Sequence, residues 1–520
     1  MNTMPADILV SERPPTENIS DAEPICSHPW LPDQGDGTYC NPVLCADYSD
    51  PDAIRVGDDF YLVSSSFNST PGLPILYSRD LVNWTLIGHA LKNLPHPRYE
   101  KVQPGCGVWA PAIRFHAGKY WVFYPTPDEG IFLVTADHPA GPWSEPHCVQ
   151  AGRGLIDPCP LWDDDGQAYL VHAYAGSRAG IKHRLRVCPM APDGSKLLGE
   201  GEIIFHQPEK HPTLEGPKFL KRDGWYYILA PAGGVENGWQ VVLRSKNIYG
   251  PNEDKIELAQ GNTDINGPHQ GALVDTSRGG WWFLHFQDAG LYGRIIHLQP
   301  VVWREGWPMM GTNGEPVRRH KKPVNISDQK PIAPPTSDEF DSLTMGLQWQ
   351  WQANHRDDWH SLTARPGWLR LFPQAAVNPL NEQPNLLLQK FPAKGFTAET
   401  DLQFSAGQSG EEAGLVVVGE KTVVLGIRHD DGQNWLVLRT DEKVEKLRRV
   451  ASEPVKLRVE IRDGGQFSFS FADADGFVLH PQIFQATKGK WIGAKLGLYN
   501  LKPDDKSSAG HADFEYFRYL

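Results

Sequence analysis

Three carboxylic acids, a tryptophan and a histidine recur along the chain at intervals of 48 to 59 residues: Asp50, Trp109, Asp157, Glu215 and His269. Two carboxyl groups that face each other across a cleft can cleave a glycosidic bond, because one protonates the leaving oxygen while the other activates water or attacks the anomeric carbon. A third carboxylate can keep the acid protonated, since like charges raise a neighbour's pKa. Clustered carboxylates also bind cations, so a metal site is the alternative, although this spacing lacks the dense DxDxDG pattern of a calcium loop.

Each of these five residues precedes the same sequence pattern by nearly the same distance. Eleven or twelve residues after each one comes the aromatic position of a segment that combines a tight Gly/Asp turn with an aromatic-rich apolar run. The segments are VGDDFYLVSSS (56–66), HAGKYWVFYPT (116–126), DDDGQAYLVHA (163–173), KRDGWYYILAP (221–231) and SRGGWWFLHFQ (277–287). Such a repeat is typical of solenoids and propellers, whose units bury their faces against their neighbours. Four short strands fit each unit, so residues 36–320 are predicted to form a five-bladed β-propeller.

The propeller geometry explains why the shared offset matters. The innermost strand of each blade lines the central channel, so equivalent positions of successive blades face one another at one end of it. Residues that are far apart in sequence are therefore expected to converge on one site. The alternative is that they are ordinary turn and core residues, an interpretation open for Asp50 and Asp157 individually because each precedes a proline.

The regions that flank the repeats have different patterns. Residues 1–35 are rich in proline and acidic side chains without periodicity, which predicts a mobile tail. Residues 321–337, rich in Pro, Lys and Ser, are predicted to be a linker. From 338 to 520, longer alternating strands such as GFTAETDLQF, joined by hairpins, predict a β-sandwich.

The composition narrows the classes of function. A net charge of −13 disfavours binding to nucleic acid or to an anionic membrane surface, because their phosphates would be repelled. No apolar stretch reaches the ~18–20 residues of a membrane span. The start of the chain lacks the basic and apolar regions of a secretory signal, and the seven cysteines are odd in number and without CxxC spacing. These features predict a cytoplasmic protein, or a secreted one if a leader has been lost from the sequence.

The residues around the three acids resemble glycoside hydrolase family 43, which contains β-xylosidases and α-L-arabinofuranosidases. The landmarks are Asn41-Pro42, SDPDAIRVGDDFYLVSSSF, GVWAPAIRF, LIDPCPLWDDDGQAYLV, LEGPKFLKRDGWYYI and YGRIIHLQPVVW, and they occur in this order between about 38 and 305. Each landmark alone is weakly specific, whereas the ordered set is highly specific. The segment from DEFDS to GHADFEYFRYL resembles the concanavalin-like β-sandwich that often follows the propeller in β-xylosidase members. The chain is thus expected to be all-β.

The resemblance implies a role for each acid. Asp50 of SDPD matches the general base, Glu215 of LEGP matches the general acid, and Asp157 of LIDP matches the aspartate that orients the acid and keeps it protonated. The family inverts the anomeric configuration, which implies that the Asp50 and Glu215 carboxyls lie roughly 6.5–9.5 Å apart with room for a water. This chemistry requires no cofactor.

Four further residues match family positions around the substrate. Trp109 of VWAP and Phe67 match aromatic walls of the sugar pocket, with an inter-blade core position as the alternative for Trp109. Arg294 of YGRIIHLQP matches an arginine that donates hydrogen bonds to substrate hydroxyls, with a structural salt bridge as the alternative. His269 of GPHQGALV matches an axial histidine near a bound calcium, which implies a structural Ca²⁺ there; a satisfied core histidine is the alternative.

The predicted function is that of an exo-acting inverting glycosidase. The resemblance implies release of xylose, arabinose or both from xylo- or arabinoxylo-oligosaccharides. The loop Asn68-Ser69-Thr70 replaces a Trp-Phe pair of many xylosidases in the family, and we expect it to shape the outer part of the site. An arabinan- or fructan-degrading propeller enzyme and a non-catalytic carbohydrate-binding protein are the alternatives, and the presence of all three acids argues against the latter. Assembly into a homo-oligomer is left open.

Overall fold

A ring of five four-stranded sheets forms the first part of the structure. The structure is a computed structural model, and it describes residues 30–326, 329–451, 454–474 and 476–520. Strand β1 (Thr38–Cys40) precedes the ring. The five blades contain β2 (Asp52–Val56), β3 (Asp59–Val63), β4 (Gly72–Ser78), β5 (Trp84–Leu91); β6 (Ala112–His116), β7 (Lys119–Thr126), β8 (Gly130–Ala136), β9 (His147–Ala151); β10 (Leu155–Trp162), β11 (Ala168–Tyr174), β12 (Leu185–Met190), β13 (Glu202–Phe205); β14 (Lys218–Arg222), β15 (Trp225–Ala232), β16 (Trp239–Ser245), β17 (Glu253–Ala259); and β18 (His269–Asp275), β19 (Trp281–Asp288), β20 (Arg294–Arg304), β21 (Trp307–Met310). Within each blade the strands lie in chain order as an antiparallel meander.

The repeated sequence pattern forms the first hairpin of each blade. A glycine with positive φ turns the first strand into the second in all five blades: Gly57, Gly118, Gly166, Gly224 and Gly279. Their φ values run from 65° to 86°, a left-handed conformation that residues with a Cβ disfavour. The first strands of neighbouring blades contact one another, from β18 to β2, β6, β10 and β14. They therefore surround the central channel, as the repeat predicts.

The ring is closed by contacts between the two ends of the propeller. Strand β22 (Arg319–Lys321) pairs antiparallel with β1. The segment after β1 also bonds to the last blade, where Ile296 N–H donates to Leu44 O at 2.9 Å. Residues of the first blade are thereby held beside residues of the fifth.

The predicted tail and linker meet on blade 1. Lys322, from the predicted linker, bridges Asp33 and Asp80 at 2.5 and 2.9 Å, and all three side chains are buried. Within the predicted tail, the structure describes residues 30–35, where the buried Lys322 ammonium holds the Asp33 carboxylate. The rest of the predicted tail, residues 1–29, lies outside the described residues.

Two packed sheets form the second part of the structure. Their strands are β23 (Gln350–Trp351), β24 (His360–Ser361), β25 (Leu369–Leu371), β26 (Gln374–Ala375), β27 (Leu387–Lys390), β28 (Phe396–Ser405), β29 (Glu412–Val418), β30 (Thr422–Asp430), β31 (Gln433–Thr440), β32 (Val444–Arg449), β33 (Val455–Ile461), β34 (Gln466–Asp473), β35 (Gly476–Leu479), β36 (Phe484–Gln485), β37 (Lys495–Lys502), β38 (His511–Phe514) and β39 (Arg518–Tyr519). One sheet has the order β23-β27-β37-β29-β30-β31-β32, and the other has the order β24-β25-β38-β28-β33-β34-β35. Buried apolar side chains of both sheets form one core. The predicted fold class, an all-β propeller followed by a β-sandwich, is confirmed.

Helices are few and short in the described residues. They are the α-helix Gly176–Ala179 and the 3₁₀ helices Pro97–Glu100, Gly290–Tyr292, Asp357–Trp359 and Leu380–Glu382. Among the described residues, none of the helices has the length and apolar character to cross a membrane.

The loop Asn68-Ser69-Thr70 is buried against the sandwich. Thr70 and Trp351 exchange two backbone hydrogen bonds, at 3.0 and 2.6 Å. The Asn68 amide donates to Gln352 O at 2.5 Å, and Ser69 Oγ accepts from Lys495 Nζ at 2.7 Å. The loop that was expected to shape the outer part of the site therefore serves as a docking surface between the domains.

Replacement of Lys322 by methionine is predicted to lower the free energy of unfolding by about 3–5 kcal/mol, because it leaves two buried carboxylates without their cation. The expected result is a reduced melting temperature in calorimetry at a fixed scan rate. Lys92→Met is the control, since Lys92 pairs with Asp357 on the surface, where both side chains are more than 60% exposed, and its loss is expected to cost at most about 1 kcal/mol. Equal effects of the two variants would contradict the structural role of Lys322.

Candidate active site

A cavity of about 440 Å³ lies at the end of the channel where the first strands of the blades begin. It brings together all seven residues that the sequence predicted for the site: Asp50, Phe67, Trp109, Asp157, Glu215, His269 and Arg294. The offset shared by the repeats explains the convergence of Asp50, Trp109, Asp157, Glu215 and His269, each of which lies before or at the start of the first strand of a blade or within it. Phe67 and Arg294 reach the cavity from outside this repeat, between β3 and β4 and at the start of β20.

Strained backbone brings two of the acids to the cavity. Asp50 has φ of 52° and Asp157 has φ of 56°, both in the left-handed region that non-glycine residues rarely adopt. At Asp157 the pairing of β10 with β11 shifts register between Ile156 and Cys159, as at a β-bulge. Such conformations cost of order 1–3 kcal/mol each and persist where the surrounding contacts fix them, a pattern common at functional sites.

Asp50 is held by three hydrogen-bond donors. Its Oδ1 accepts from the Arg294 guanidinium at 2.8 Å, and its Oδ2 accepts from the hydroxyls of Ser65 at 2.7 Å and Ser49 at 3.0 Å. The same Arg294 nitrogen donates to Ser49 Oγ at 2.9 Å. The Asp50 carboxylate is therefore fixed as a hydrogen-bond acceptor at the cavity surface. Arg294 forms the salt bridge weighed as its alternative role and lines the cavity as well.

Asp157 and Glu215 lie close together where blades 3 and 4 meet. Asp157 Oδ2 accepts from the N–H of Gly216, the residue next to Glu215, at 2.8 Å. Asp157 is buried, whereas 27% of the Glu215 side chain is exposed. Burial raises the pKa of Asp157 above its usual range, and the neighbouring charge of Glu215 raises it further. The Asp157 carboxyl therefore retains a proton more readily than an isolated aspartate does.

His269 contacts Glu215, which the sequence did not predict. Its Nε2 lies 3.2 Å from Glu215 Oε1, and the buried ring packs against Phe286 with centroids 5.3 Å apart. Within the described part of the chain, its Nδ1 has no hydrogen-bond partner. The histidine thus contributes directly to the orientation of the Glu215 carboxyl.

The side chains around His269 do not test the calcium ion that the resemblance implies there. In the described ranges, no group of three or more His, Cys, Asp or Glu side chains is placed to hold a metal. Calcium takes six to eight oxygen ligands, and His269 offers a nitrogen. The calcium implied by the resemblance therefore stays a prediction, and hydrolysis by two carboxyls needs no metal.

Trp109 and Phe67 supply aromatic surface to the cavity. Trp109 is half-buried, its Nε1 donates to Gly105 O at 3.1 Å, and the Arg178 guanidinium carbon lies 5.1 Å from its ring centroid. Phe67 is buried, and its backbone exchanges two hydrogen bonds of 2.9 Å with Val108. Aromatic rings anchored in this way offer rigid apolar faces to the C–H groups of a sugar.

Trp491 of the sandwich also lines the cavity, and sequence reasoning missed it. It lies between β36 and β37, its side chain is 43% exposed, and the Arg294 guanidinium carbon lies 5.7 Å from its ring centroid. Trp491 stands outside the repeats and shares none of their offset, so no local signal in TKGKWIG indicates this position. Further lining residues that were not predicted are Tyr174, Ser177, Lys182, Thr213 and Gln270.

This arrangement suits acid–base chemistry on a neutral, hydroxyl-rich molecule. Asp50 is presented as an acceptor that can take a proton from water. Glu215 lines the cavity and is more exposed than Asp157, so its carboxyl can reach a bound ligand. A proton acceptor and a proton donor that line one cavity are the two groups that glycoside hydrolysis requires.

Comparison with protein families agrees with this chemistry. Residues 39–308 match the model described as Glycosyl hydrolases family 43. Residues 337–520 match the model described as Beta xylosidase C-terminal Concanavalin A-like domain. The two matches correspond to the propeller and to the sandwich.

Individual relatives match most of the chain. A protein named putative beta-xylosidase from Xylanibacter ruminicola is 43% identical over 405 residues, which cover 76% of this chain and 74% of that protein. A non-reducing end alpha-L-arabinofuranosidase, BoGH43B, from Bacteroides ovatus is 32% identical over 80% of this chain and 79% of its own length. The crystal structure of a xylan beta-1,4-xylosidase from Bacillus halodurans is similar with a TM-score of 0.81 and 26% identity, covering 92% of this chain and 99% of that chain.

Replacement of Asp157 by asparagine is predicted to stabilise the protein more at pH 8 than at pH 5. Because the pKa of Asp157 is raised on folding, the folded protein binds more protons than the unfolded chain in this interval, and its free energy of unfolding falls as the pH rises. Asparagine is neutral, and its amide oxygen can still accept from Gly216. The difference in melting temperature between variant and wild type should therefore grow from pH 5 to pH 8.

The matched control is Asp58→Asn, which changes an exposed carboxyl in the first turn of blade 1. Its melting temperature should follow that of the wild type at both pH values. A stability difference for Asp157→Asn that is constant or shrinks between pH 5 and pH 8 would contradict the raised pKa.

Proposed function

This chain belongs to the glycosyl hydrolases of family 43, and we propose that it releases single xylose or arabinofuranose units from the non-reducing ends of xylan-derived oligosaccharides. The observation that carries the proposal is the convergence of Asp50, Asp157 and Glu215 on one cavity that Arg294 also lines. The relatives described above include a putative beta-xylosidase and an alpha-L-arabinofuranosidase, which supports both sugars as substrates.

The enclosed position of the acids supports exo action. Asp50 and Asp157 are at most 5% exposed, and the cavity volume of about 440 Å³ suits a short saccharide rather than a long polymer segment. Trp491 of the sandwich adds a wall on one side of this cavity. The proposed role of the sandwich is therefore to cover the propeller and to enclose the terminal sugar.

The contacts of each acid support a division of roles. Asp50, fixed by Arg294 and two serine hydroxyls, is the proposed base that removes a proton from the attacking water. Glu215 is the proposed acid that protonates the leaving oxygen. Asp157 is the proposed partner that shares a proton with Glu215 and fixes the backbone beside it. Direct attack by water on the face opposite the leaving group inverts the anomeric carbon.

The sugar itself is proposed to bind between aromatic and charged walls. Trp109 and Phe67 offer apolar faces, and the Arg294 guanidinium can donate to paired hydroxyls beside Asp50. Xylopyranose and arabinofuranose present similar hydroxyl arrangements, so one pocket can accept both.

Initial rates on aryl β-D-xyloside and aryl α-L-arabinofuranoside test the proposed substrates. We expect turnover of at least one of them, with the first product observed by proton NMR as the anomer of inverted configuration. Retention of configuration would overturn the assignment of Asp50 as base. Release of internal fragments from polymeric xylan or arabinan, without release of monosaccharide, would favour the endo-acting alternative.

Replacement of Glu215 by glutamine tests the proposed acid through the leaving group. Loss of a general acid is expected to lower kcat by about 10²–10⁴-fold on xylobiose, whose leaving hydroxyl needs a proton. The loss should be much smaller on a dinitrophenyl xyloside, because this leaving group departs without protonation. Asp50→Asn should reduce both rates alike, since activation of water is needed in either case.

The control for this pair of variants is Glu209→Gln, an exposed glutamate six positions before Glu215. It should keep wild-type rates on both substrates. Equal losses on the two substrates for Glu215→Gln would show that Glu215 does not protonate the leaving group.

A further inference from the structure

Asp47 is a buried carboxylate that bonds to both domains beside the cavity without lining it. Its Oδ1 accepts from the backbone N–H of Arg294 at 2.9 Å, and its Oδ2 accepts from the backbone N–H of Gly493 at 2.9 Å. Arg294 begins β20 in the last blade, whereas Gly493 belongs to the sandwich loop that carries Trp491. The Asp47 side chain thus connects Arg294 of the propeller to the sandwich loop whose Trp491 lines the cavity.

Two glycines allow this contact. A Cβ at Gly293 would lie 2.3 Å from Cγ of Asp47, and a Cβ at Gly493 would lie 2.7 Å from the backbone of Tyr292 and Gly293. Side chains at either position would therefore separate the sandwich loop from the start of β20. The backbones can meet because both positions are glycine, and the Asp47 carboxylate lies between the N–H groups of Arg294 and Gly493.

Asp47 lies in a buried group of charges at the domain interface. Burial raises its pKa, while the Arg294 and Gly493 N–H groups and the nearby charges of Lys390 and Arg294 act in the opposite direction. Burial also lowers the pKa of neighbouring Lys495 to about 7. A buried carboxylate is costly unless its acceptors are satisfied. Here both oxygens are used by N–H groups that belong to different domains.

Asp47 and Asp50 act on the same arginine from one short segment. Asp47 holds the Arg294 backbone, and Asp50 holds its guanidinium. Trp491 lies two residues before Gly493, and its ring is 5.7 Å from the Arg294 guanidinium carbon. A shift of either backbone would therefore change the spacing between Trp491 and Arg294 across the cavity.

We propose that Asp47 is a positioning residue that fixes Arg294 and the Trp491 loop relative to each other, so that the sandwich completes the sugar pocket. The inference rests on the proposed hydrolase function, because it assigns a role in substrate binding to the Trp491 wall. Asp47 contacts no reacting atom and acts through these two partners.

Asp47→Asn tests the proposal because it keeps the shape of the side chain but turns one of its two acceptors into a donor. We expect kcat/KM on the preferred aryl glycoside to fall about 10- to 100-fold, since a misplacement of about 1 Å can cost 100-fold. In a Trp491→Ala background the same change should cost at least about threefold less than it does alone, because one of the two groups that Asp47 positions is already gone. Fully additive losses would overturn the proposal.

Asp52→Asn is the matched control. Asp52 is equally buried and lies five positions further along, and it accepts from Ile113 N–H at 2.9 Å and from Arg114 at 2.7 Å. These partners lie in blade 2 and not in the sandwich loop. Its effect on kcat/KM, whatever its size, should be the same with and without Trp491.

Limited trypsin digestion tests the contact without any substrate. Lys490 is exposed in the loop, and release of Gly493 should accelerate cleavage after Lys490 relative to cleavage after Lys506, whose side chain is 82% exposed. This ratio should rise in Asp47→Asn and in Gly493→Ala and stay unchanged in Asp52→Asn. An unchanged ratio in Gly493→Ala and in soluble Asp47→Asn would overturn the proposal.

The kinetic assay and the trypsin digestion distinguish a failure of the proposed function from a failure of the proposed role of Asp47. If the wild type hydrolyses neither aryl glycoside, the proposed function is wrong, while the digestion ratio still decides whether Asp47 holds the loop. If Asp47→Asn does not fold, Gly493→Ala carries both tests, because it displaces the same loop and substitutes no residue of the propeller.

Discussion

The ion pair between Arg294 and Asp50 joins the last blade to the first, across 244 residues of sequence. Removing both charges from water is costly, and such a pair is tolerated only where hydrogen bonds satisfy the remaining acceptors. Ser49 and Ser65 provide those bonds, and closure of the ring by β1 and β22 brings the two ends of the propeller together. The left-handed backbone at Asp50 persists because the side chain is held on both oxygens. The position of the proposed base therefore depends on closure of the whole ring.

Asp50 is paired with a cation, whereas Asp157 has another carboxyl, that of Glu215, as its neighbour. Two carboxyls lie close together, and for Asp157 the described contacts include one backbone donor. This pair is unfavourable for stability when both groups are charged, since like charges in a buried site repel strongly. The three acids of the cavity thus have different surroundings: Asp50 is held by an arginine and two hydroxyls, whereas the pKa of Asp157 is raised by burial and by the neighbouring Glu215. The apolar cores between the blades and in the sandwich offset the cost of this arrangement.

The repeats in the sequence predicted the blades and the convergence of the three acids, but nothing in the sequence predicted the contacts between the propeller and the sandwich. The five glycine turns and the common offset follow from blade periodicity, so the propeller and the convergence of the three acids could be inferred from spacing. The contact of His269 with Glu215 could not, because an offset places a residue near the channel without fixing its side-chain partner. Trp491, the buried loop Asn68-Ser69-Thr70 and residues 30–35 depend on contacts between distant segments. Such contacts leave no periodic pattern in either partner.

The sandwich is therefore part of the site in a physical sense. The propeller loop at 68–70 bonds to the sandwich through the backbones of Thr70 and Trp351. The sandwich in turn places Trp491 in the cavity beside Arg294. Small movements between the domains would alter the gap between an aromatic wall and a guanidinium, both of which face the proposed sugar. The acids, in contrast, are fixed within the propeller. It follows that the proposed acid–base chemistry depends on the ring alone, whereas the proposed fit of the terminal sugar also depends on how the two domains pack against each other.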